Sequence, residues 1–223
     1  MARSVISTKT PRCERCRFVP RWCICSGYQT VDCPVQVDVL MHKREQHRPT
    51  STGHLINRLI PGSYHHVFNA MEPPVADEVI NPDRTLWILH PRGGPMPTDV
   101  APDNLQVLLL DGNWREATRM AQTVGGWGRL VKLPMTAPSR YWLRKKQDTE
   151  SYSTIEALLF LLEALGLERP AIMLRQQLEL HVYAGLRSRG ALQLATNFLA
   201  TSTLPAAMPD LLAQLHQRRS EGE

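Results

Sequence analysis

No stretch of the sequence approaches 18 consecutive apolar residues, so it offers no helix long enough to cross a bilayer. Residues 1–16 lack the apolar core of a secretory leader, and the chain is expected in the cytoplasm. Internal repeats are absent. So are three common signatures: the G-x-G-x-x-G of dinucleotide sites, the G-x-x-x-x-G-K of P-loops and the G-x-S-x-G elbow of Ser-His-Asp hydrolases. Hydrophobic residues make up 43% and charged residues 21%, which excludes a disordered chain, a collagen-like repeat and a disulfide-dense miniprotein. The 223 residues suit one α/β domain with at most a small appendage.

Acidic residues are scarce in two places. Residues 1–48 hold nine basic side chains against four acids, which accounts for the whole formal charge of +5. A second, acid-free stretch lies between Glu116 and Asp148 and carries Arg119, Arg129, Lys132, Arg140, Arg144, Lys145 and Lys146, interleaved with Trp127, Tyr141 and Trp142. One such run is ordinarily a solvated face. Two, one of them with aromatics, match the electrostatic footprint of a nucleic-acid binder.

Four of the five cysteines fall within Cys13, Cys16, Cys23 and Cys25. A C-x2-C pair presents two thiolates from one turn, and a following C-x-C pair closes a tetrahedral four-thiolate site. Structural zinc is therefore expected; four thiolates leave no open position for catalysis. Disulfides suit a cytoplasmic chain poorly. Cys33 reads as a small buried hydrophobe.

Periodicity and turn residues predict strands at 35–40, 65–68, 85–89, 105–110 and 129–133, and helices at 50–60, 114–124, 153–165 and 170–189. Residues 72–84 read as a Pro-rich loop, 134–152 as a long loop, and the chain from about Leu204 as a short helix and charged tail. The alternation argues an α/β fold with a mostly parallel sheet. The expected organisation is a cysteine segment over 1–34, the α/β domain over 35–200 and a C-terminal helix and tail over 201–223. Ligands of such sheets sit beyond the carboxyl ends of the strands. Three of those ends are marked: His90-Pro91, Asp111-Gly112-Asn113-Trp114 and Leu133-Pro134.

The run Leu109-Leu110-Asp111-Gly112-Asn113-Trp114-Arg115-Glu116-Ala117 resembles the motif of the DTW-domain family, named for Asp-x-Thr-Trp. The four cysteines, the stretch from Leu40 to Ile56, the Ser139–Lys145 segment and Ser153-Thr154-Ile155-Glu156-Ala157 resemble that family's other blocks, in the same order. Asn113 stands where the family has Thr; both side chains donate and accept hydrogen bonds, so retained function is expected.

The resemblance implies a bacterial tRNA-uridine aminocarboxypropyltransferase. Such enzymes move the 3-amino-3-carboxypropyl group of S-adenosylmethionine to N3 of a uridine, here in the tRNA variable loop, and release 5′-methylthioadenosine. It also implies a SPOUT-like sheet with a C-terminal trefoil knot. The partner is then tRNA, with no DNA or membrane partner, and a monomer is favoured because the zinc segment can replace a second subunit.

On this reading Asp111 is a base toward the N3 proton or an acceptor that orients the uracil. Trp114 is an aromatic face for the sulfonium, the adenine or the target base. The plainer alternative makes Asp111 or Asn113 a helix cap and Trp114 a core anchor. Leu89, His90, Leu110, Gly112 and Leu133 line the cofactor at the strand ends. Ser153, Thr154 and Glu156 either form only a capping box or open a helix whose N–H groups hold the methionine carboxylate. His42, Glu45, Arg48 and Thr52 are substrate-site candidates. Arg140, Arg144, Lys145 and Lys146 are assigned to tRNA phosphates, with Arg140 or Arg144 an alternative partner for that carboxylate. Two other classes stay open: a SPOUT-type RNA methyltransferase and a non-catalytic zinc-containing RNA-binding module.

Overall fold

The computed structural model describes residues 11–135, 137–144 and 152–217. Five strands, β1 (Gln36–His42), β2 (Tyr64–Phe68), β3 (Thr85–Pro95), β4 (Leu105–Asp111) and β5 (Arg129–Lys132), form one sheet in the order β2-β1-β4-β3-β5. Every pairing is parallel. The expected α/β class with a parallel sheet is what the chain adopts. β4 lies between β1 and β3 and is covered on both faces, which is why its sequence reads as a nearly unbroken apolar run.

Alternate side chains of the strands feed two cores. Val37, Val39, Met41, Val107, Leu109 and Val131 face α1 (Thr52–Leu59), α4 (Thr154–Ala164) and α5 (Glu168–Ser188). Leu40, Leu108 and Ile88 face Met120 and Val124 of α3 (Trp114–Val124) on the other side, with α2 (Ala76–Val79) contributing Val79. Three helices follow α5: α6 (Leu192–Ala200), α7 (Leu204–Ala207) and α8 (Pro209–Gln217).

The cysteine segment joins the larger core. Phe18, Trp22, Ile24 and Val31 are buried with α5 and α8. Trp22 meets Tyr183 edge-on at 6.3 Å and His216 at 6.5 Å, and Arg187 lies 4.4 Å over its ring.

The single short helix expected from Leu204 is two, α7 and α8, and three other elements differ from expectation. β3 continues past Leu89 to Pro95, rejoining β5 after a shift of register between Leu89 and Gly94. Gly93 is needed for that approach, since a Cβ there would lie 2.6 Å from the Val131 backbone. α2 occupies part of the expected Pro-rich loop. α6 was not foreseen; Gly190, at φ +70°, ends the preceding helix and the chain turns into a new one.

Candidate active site

Asp111 closes β4 opposite Met41 of β1. The helix that follows is capped by its neighbour: Asn113 Oδ1 accepts the Glu116 N–H at 3.0 Å, and Glu116 Oε2 accepts the Asn113 N–H at 2.9 Å. This reciprocal box is the one the sequence motif permits, and it leaves the Asp111 carboxylate to other partners. Ser51, the N-cap residue of α1, donates its hydroxyl to Asp111 Oδ2 at 2.7 Å. Thr154, the first residue of α4, donates to Oδ1 at 2.5 Å. The two helices therefore point their N-termini at one buried carboxylate, a favourable arrangement for negative charge. Gly53 permits the close packing, because a Cβ at that position would sit 2.6 Å from Asp111 Oδ2. Thr52 ties α1 to α4 by accepting the Ile155 N–H at 3.4 Å.

Two more buried acids stand beside Asp111. Glu45 follows β1 in a tight turn, its N–H bonded to the His42 carbonyl at 2.8 Å, and pairs with Arg48 at 2.5 Å. Burial pushes its carboxyl up to about 7, and the charges of Asp111 and Glu116 push the same way against Arg48. Glu116 is faced by His42 at 3.4 Å and by Arg44 at 3.7 Å. His42, Glu45, Arg48 and Thr52 are thus gathered around the strand ends, as their positions in the sequence suggested.

Trp114 is 58% exposed and stacks on His90, ring centroids 5.9 Å apart and planes at 26°. That exposure excludes the core-anchor alternative. His90 is buried at the point where β3 crosses toward the site. Its Nδ1 accepts the Arg92 N–H at 3.2 Å, which assigns the ring proton to Nε2. Nε2 is buried without a hydrogen-bond partner among the described residues. Burial holds this imidazole below its usual value, and nearby Arg92 adds to that. Leu89 and Leu133 are buried close to these strand ends, Leu110 is half-buried, and Gly112 abuts Glu116, whose Cβ a side chain at 112 would meet at 2.9 Å.

Two expectations need correction. Glu156 is not available to a ligand: its oxygens accept from Ser139 Oγ, the Arg140 and Tyr141 N–H groups, and both the N–H and hydroxyl of Ser153. It caps α4 and fastens the 139–141 segment to it. Arg140 is likewise turned inward. Its guanidinium donates to buried Glu179 at 3.2 Å and to Thr201 Oγ1 and O at 2.9 and 3.1 Å, with Phe198 4.4 Å below. It is a structural tie rather than the phosphate ligand expected, because its guanidinium is held by Glu179 and Thr201 and packed on Phe198.

Arg144 lies 5.6 Å from the Tyr141 ring and donates to the Tyr152 carbonyl at 2.9 Å. Lys145 and Lys146 lie outside the described residues. Ser51, Gly53 and Tyr141, whose hydroxyl donates to the Thr50 carbonyl at 2.6 Å, were not singled out in advance. Membership of the motif blocks was the signal for Ser51 and Gly53, and Tyr141 was also one of the aromatics of the second basic stretch.

The four cysteine sulfurs lie within 4.8 Å of one another, Cys13 and Cys25 at 3.5 Å and Cys16 and Cys23 at 3.7 Å. A tetrahedron with metal–sulfur bonds of about 2.3 Å sets its sulfurs about 3.8 Å apart, so this donor set fits a metal ion such as zinc. Arg17, at φ +65°, makes the turn after Cys16, and its N–H bonds to the Cys13 carbonyl at 2.8 Å. Backbone N–H groups around Cys13 hold its thiol down to about 6.

A parallel α/β sheet with a polar site at its carboxyl edge, joined to a four-cysteine cluster, defines the class. The DTW-domain family model matches residues 10–190, spanning the cysteine cluster, the whole sheet and α5, and the chain belongs to the DTW-domain family. No solved structure matches it. No helix among the described residues is long and apolar enough to cross a membrane.

Proposed function

We propose that this protein is a tRNA-uridine aminocarboxypropyltransferase using S-adenosylmethionine, with structural zinc at the four cysteines. The observation that carries the reading is the Asp111 centre. A buried carboxylate is fixed by hydroxyls from two helix N-termini, beside an aromatic platform of His90 and Trp114 that is open to solvent on one face. Family membership is consistent with action on tRNA. The reading extends to a SPOUT-like path with a C-terminal knot, supported by the all-parallel sheet, and to a cytoplasmic monomer.

In this reading the target uracil stacks on Trp114 after leaving its own stack. Asp111 takes up the N3 proton or the hydrogen bond that orients it. Ser51 and Thr154 keep the carboxylate from rotating, because each of its oxygens is held by one hydroxyl. S-adenosylmethionine, when bound, supplies a carbon activated by a sulfonium: the N3–carbon bond forms, the sulfur–carbon bond breaks, and the electron pair leaves on neutral 5′-methylthioadenosine. No acid is needed for that departure. Leu89, His90, Leu110, Gly112 and Leu133 line the cofactor side, and the buried Nε2–H of His90 is the polar donor there.

Incubation with unmodified tRNA and S-adenosylmethionine is expected to yield a uridine carrying the aminocarboxypropyl mass, together with 5′-methylthioadenosine. Asp111→Asn should lower product formation about 100-fold or more, the loss associated with a general base, while both ligands still bind within a few-fold. Appearance of S-adenosylhomocysteine and a methyl adduct would overturn the assignment, as would full turnover by the Asn variant.

A further inference from the structure

A cleft of about 270 Å³ opens between the cysteine turn and the loop joining β1 to α1. Its walls are Arg12, Cys13, Glu14 and Arg17 on one side and Gln46, His47, Arg48, Pro49 and His54 on the other. Three arginines and two histidines face one acid there, and Arg12, Arg17, His47 and Arg48 are exposed. Arg12 donates to the Arg17 carbonyl at 3.0 Å, which gathers the two guanidinium-bearing residues on one edge of the cysteine turn. Arg48 belongs to two places at once: it lines the cleft, and it pairs with Glu45, whose buried carboxyl senses the charge of Asp111. Arg48 is thus the side chain shared by the cleft and the acidic cluster of the candidate active site.

We propose that this cleft holds RNA phosphodiester groups next to the nucleotide presented to Asp111, so that the cysteine turn serves as part of the RNA-binding surface. The inference rests on the tRNA reading above and locates its backbone contact. Arginines recognise phosphate by paired N–H donation, and a concave wall in which positive charge outnumbers negative concentrates its field on an anionic ligand. Metal at Cys13, Cys16, Cys23 and Cys25 would set the position of Arg12 and Arg17, because both flank the C-x2-C turn. RNA affinity is then expected to follow metal content, whereas the contact of Arg48 depends only on the β1–α1 loop.

The test measures tRNA binding without S-adenosylmethionine, over a salt series, for the parent and for Arg12→Gln combined with Arg17→Asn. Asn is chosen at 17 because it tolerates the left-handed backbone found there. Loss of two phosphate contacts should flatten the slope of log affinity against log salt by about 1.5 and weaken binding about tenfold or more at low salt. Metal content and S-adenosylmethionine binding should stay at parental levels. His47→Glu, on the exposed opposite wall, should weaken tRNA binding on its own and covers the case in which the double variant loses its metal. Parental affinity and slope in His47→Glu and in the metal-loaded double variant would overturn the cleft while leaving the transferase reading intact. A parent that binds no tRNA would instead remove that reading. Inorganic phosphate is the second probe. If it binds with the same sensitivity to these variants while tRNA binding is unaffected by them, the cleft is a free-phosphate site and the RNA assignment fails.

Discussion

Asp111 and Glu45 are similarly buried, 6% exposed each, but are provided for differently. Two hydroxyls donate to Asp111, whereas Glu45 has an ion pair with an arginine that is itself largely in solvent. Desolvation therefore dominates at Glu45 and lifts its carboxyl from 4.5 to about 7. The sign follows from proton binding. Between about pH 5 and pH 7 the folded protein keeps a proton that the unfolded chain has lost, so folding stability from this group falls as pH rises and levels off above its folded value. Glu45→Gln removes that loss. Its melting temperature relative to the parent should be more favourable at about pH 8 than at about pH 5, with a ceiling of about 3 kcal/mol set by the size of the shift and reduced by the lost Arg48 pair. Thermal unfolding of both proteins across this range checks it. A difference that stays constant with pH would mean that Glu45 titrates normally and does not feel its acidic neighbours.

At the scale of elements, local signals were legible where they were chemically complete. Asn113, one of the two cap candidates, precedes α3, whose observed bounds are the expected ones, and the structure adds the reciprocal bond from Glu116. The alternating Val35, Val37 and Val39 likewise marked a strand, and the solid apolar run of β4 is that of a strand covered on both faces. Signals that depend on a distant partner were not legible. His90 to Pro95 carries turn-forming residues, yet it extends β3 because β5 is there to pair with it. Arg140 sits among basic residues and looks like a phosphate ligand, but Glu179, 39 positions further on, receives it. This tie joins α5 to the 139–141 segment, which Glu156 in turn holds against the start of α4 and hence close to Thr154 and Asp111. Arg140→Ala leaves Glu179 buried without its charge partner, and loss of one partner of a buried pair costs about 3–5 kcal/mol. Ser202 and Thr203 still donate to Glu179, so the lower end of that range is expected. The variant should melt well below the parent while the salt dependence of tRNA binding keeps its slope. An unchanged melting temperature with a flatter salt slope would return Arg140 to the RNA face.

For the molecule as a whole, the cysteine cluster was visible from spacing alone, but its place in the architecture was not. A short segment of this kind reads as an appendage, since nothing in residues 1–34 announces what Phe18, Trp22 and Ile24 pack against. They are buried in the same core as α5 and α8, with Phe18 4.9 Å from the His181 ring and Gln177 donating to the Gly27 carbonyl at 2.9 Å. Metal binding at a preorganised four-thiolate site adds directly to folding free energy. A metal ion held by these four cysteines would act on the common core and not on a detachable module, because Phe18, Trp22 and Ile24 belong to that core. Cys16→Ser, at a fully buried ligand, should release about one equivalent of zinc and lower the melting temperature of the entire protein by about 10 °C or more, taking a loss of roughly 3–5 kcal/mol for a chain of this size. The transition should remain single, because residues of the segment and of the C-terminal helices lose the same contacts together. Calorimetry with a zinc assay on the parent, the variant and chelator-treated parent reads all three quantities. Retained zinc with a parental melting temperature would reject the metal site. A separate low-temperature transition, with the main one unmoved, would show that the cysteine segment folds on its own and that the shared core does not couple it to the sheet.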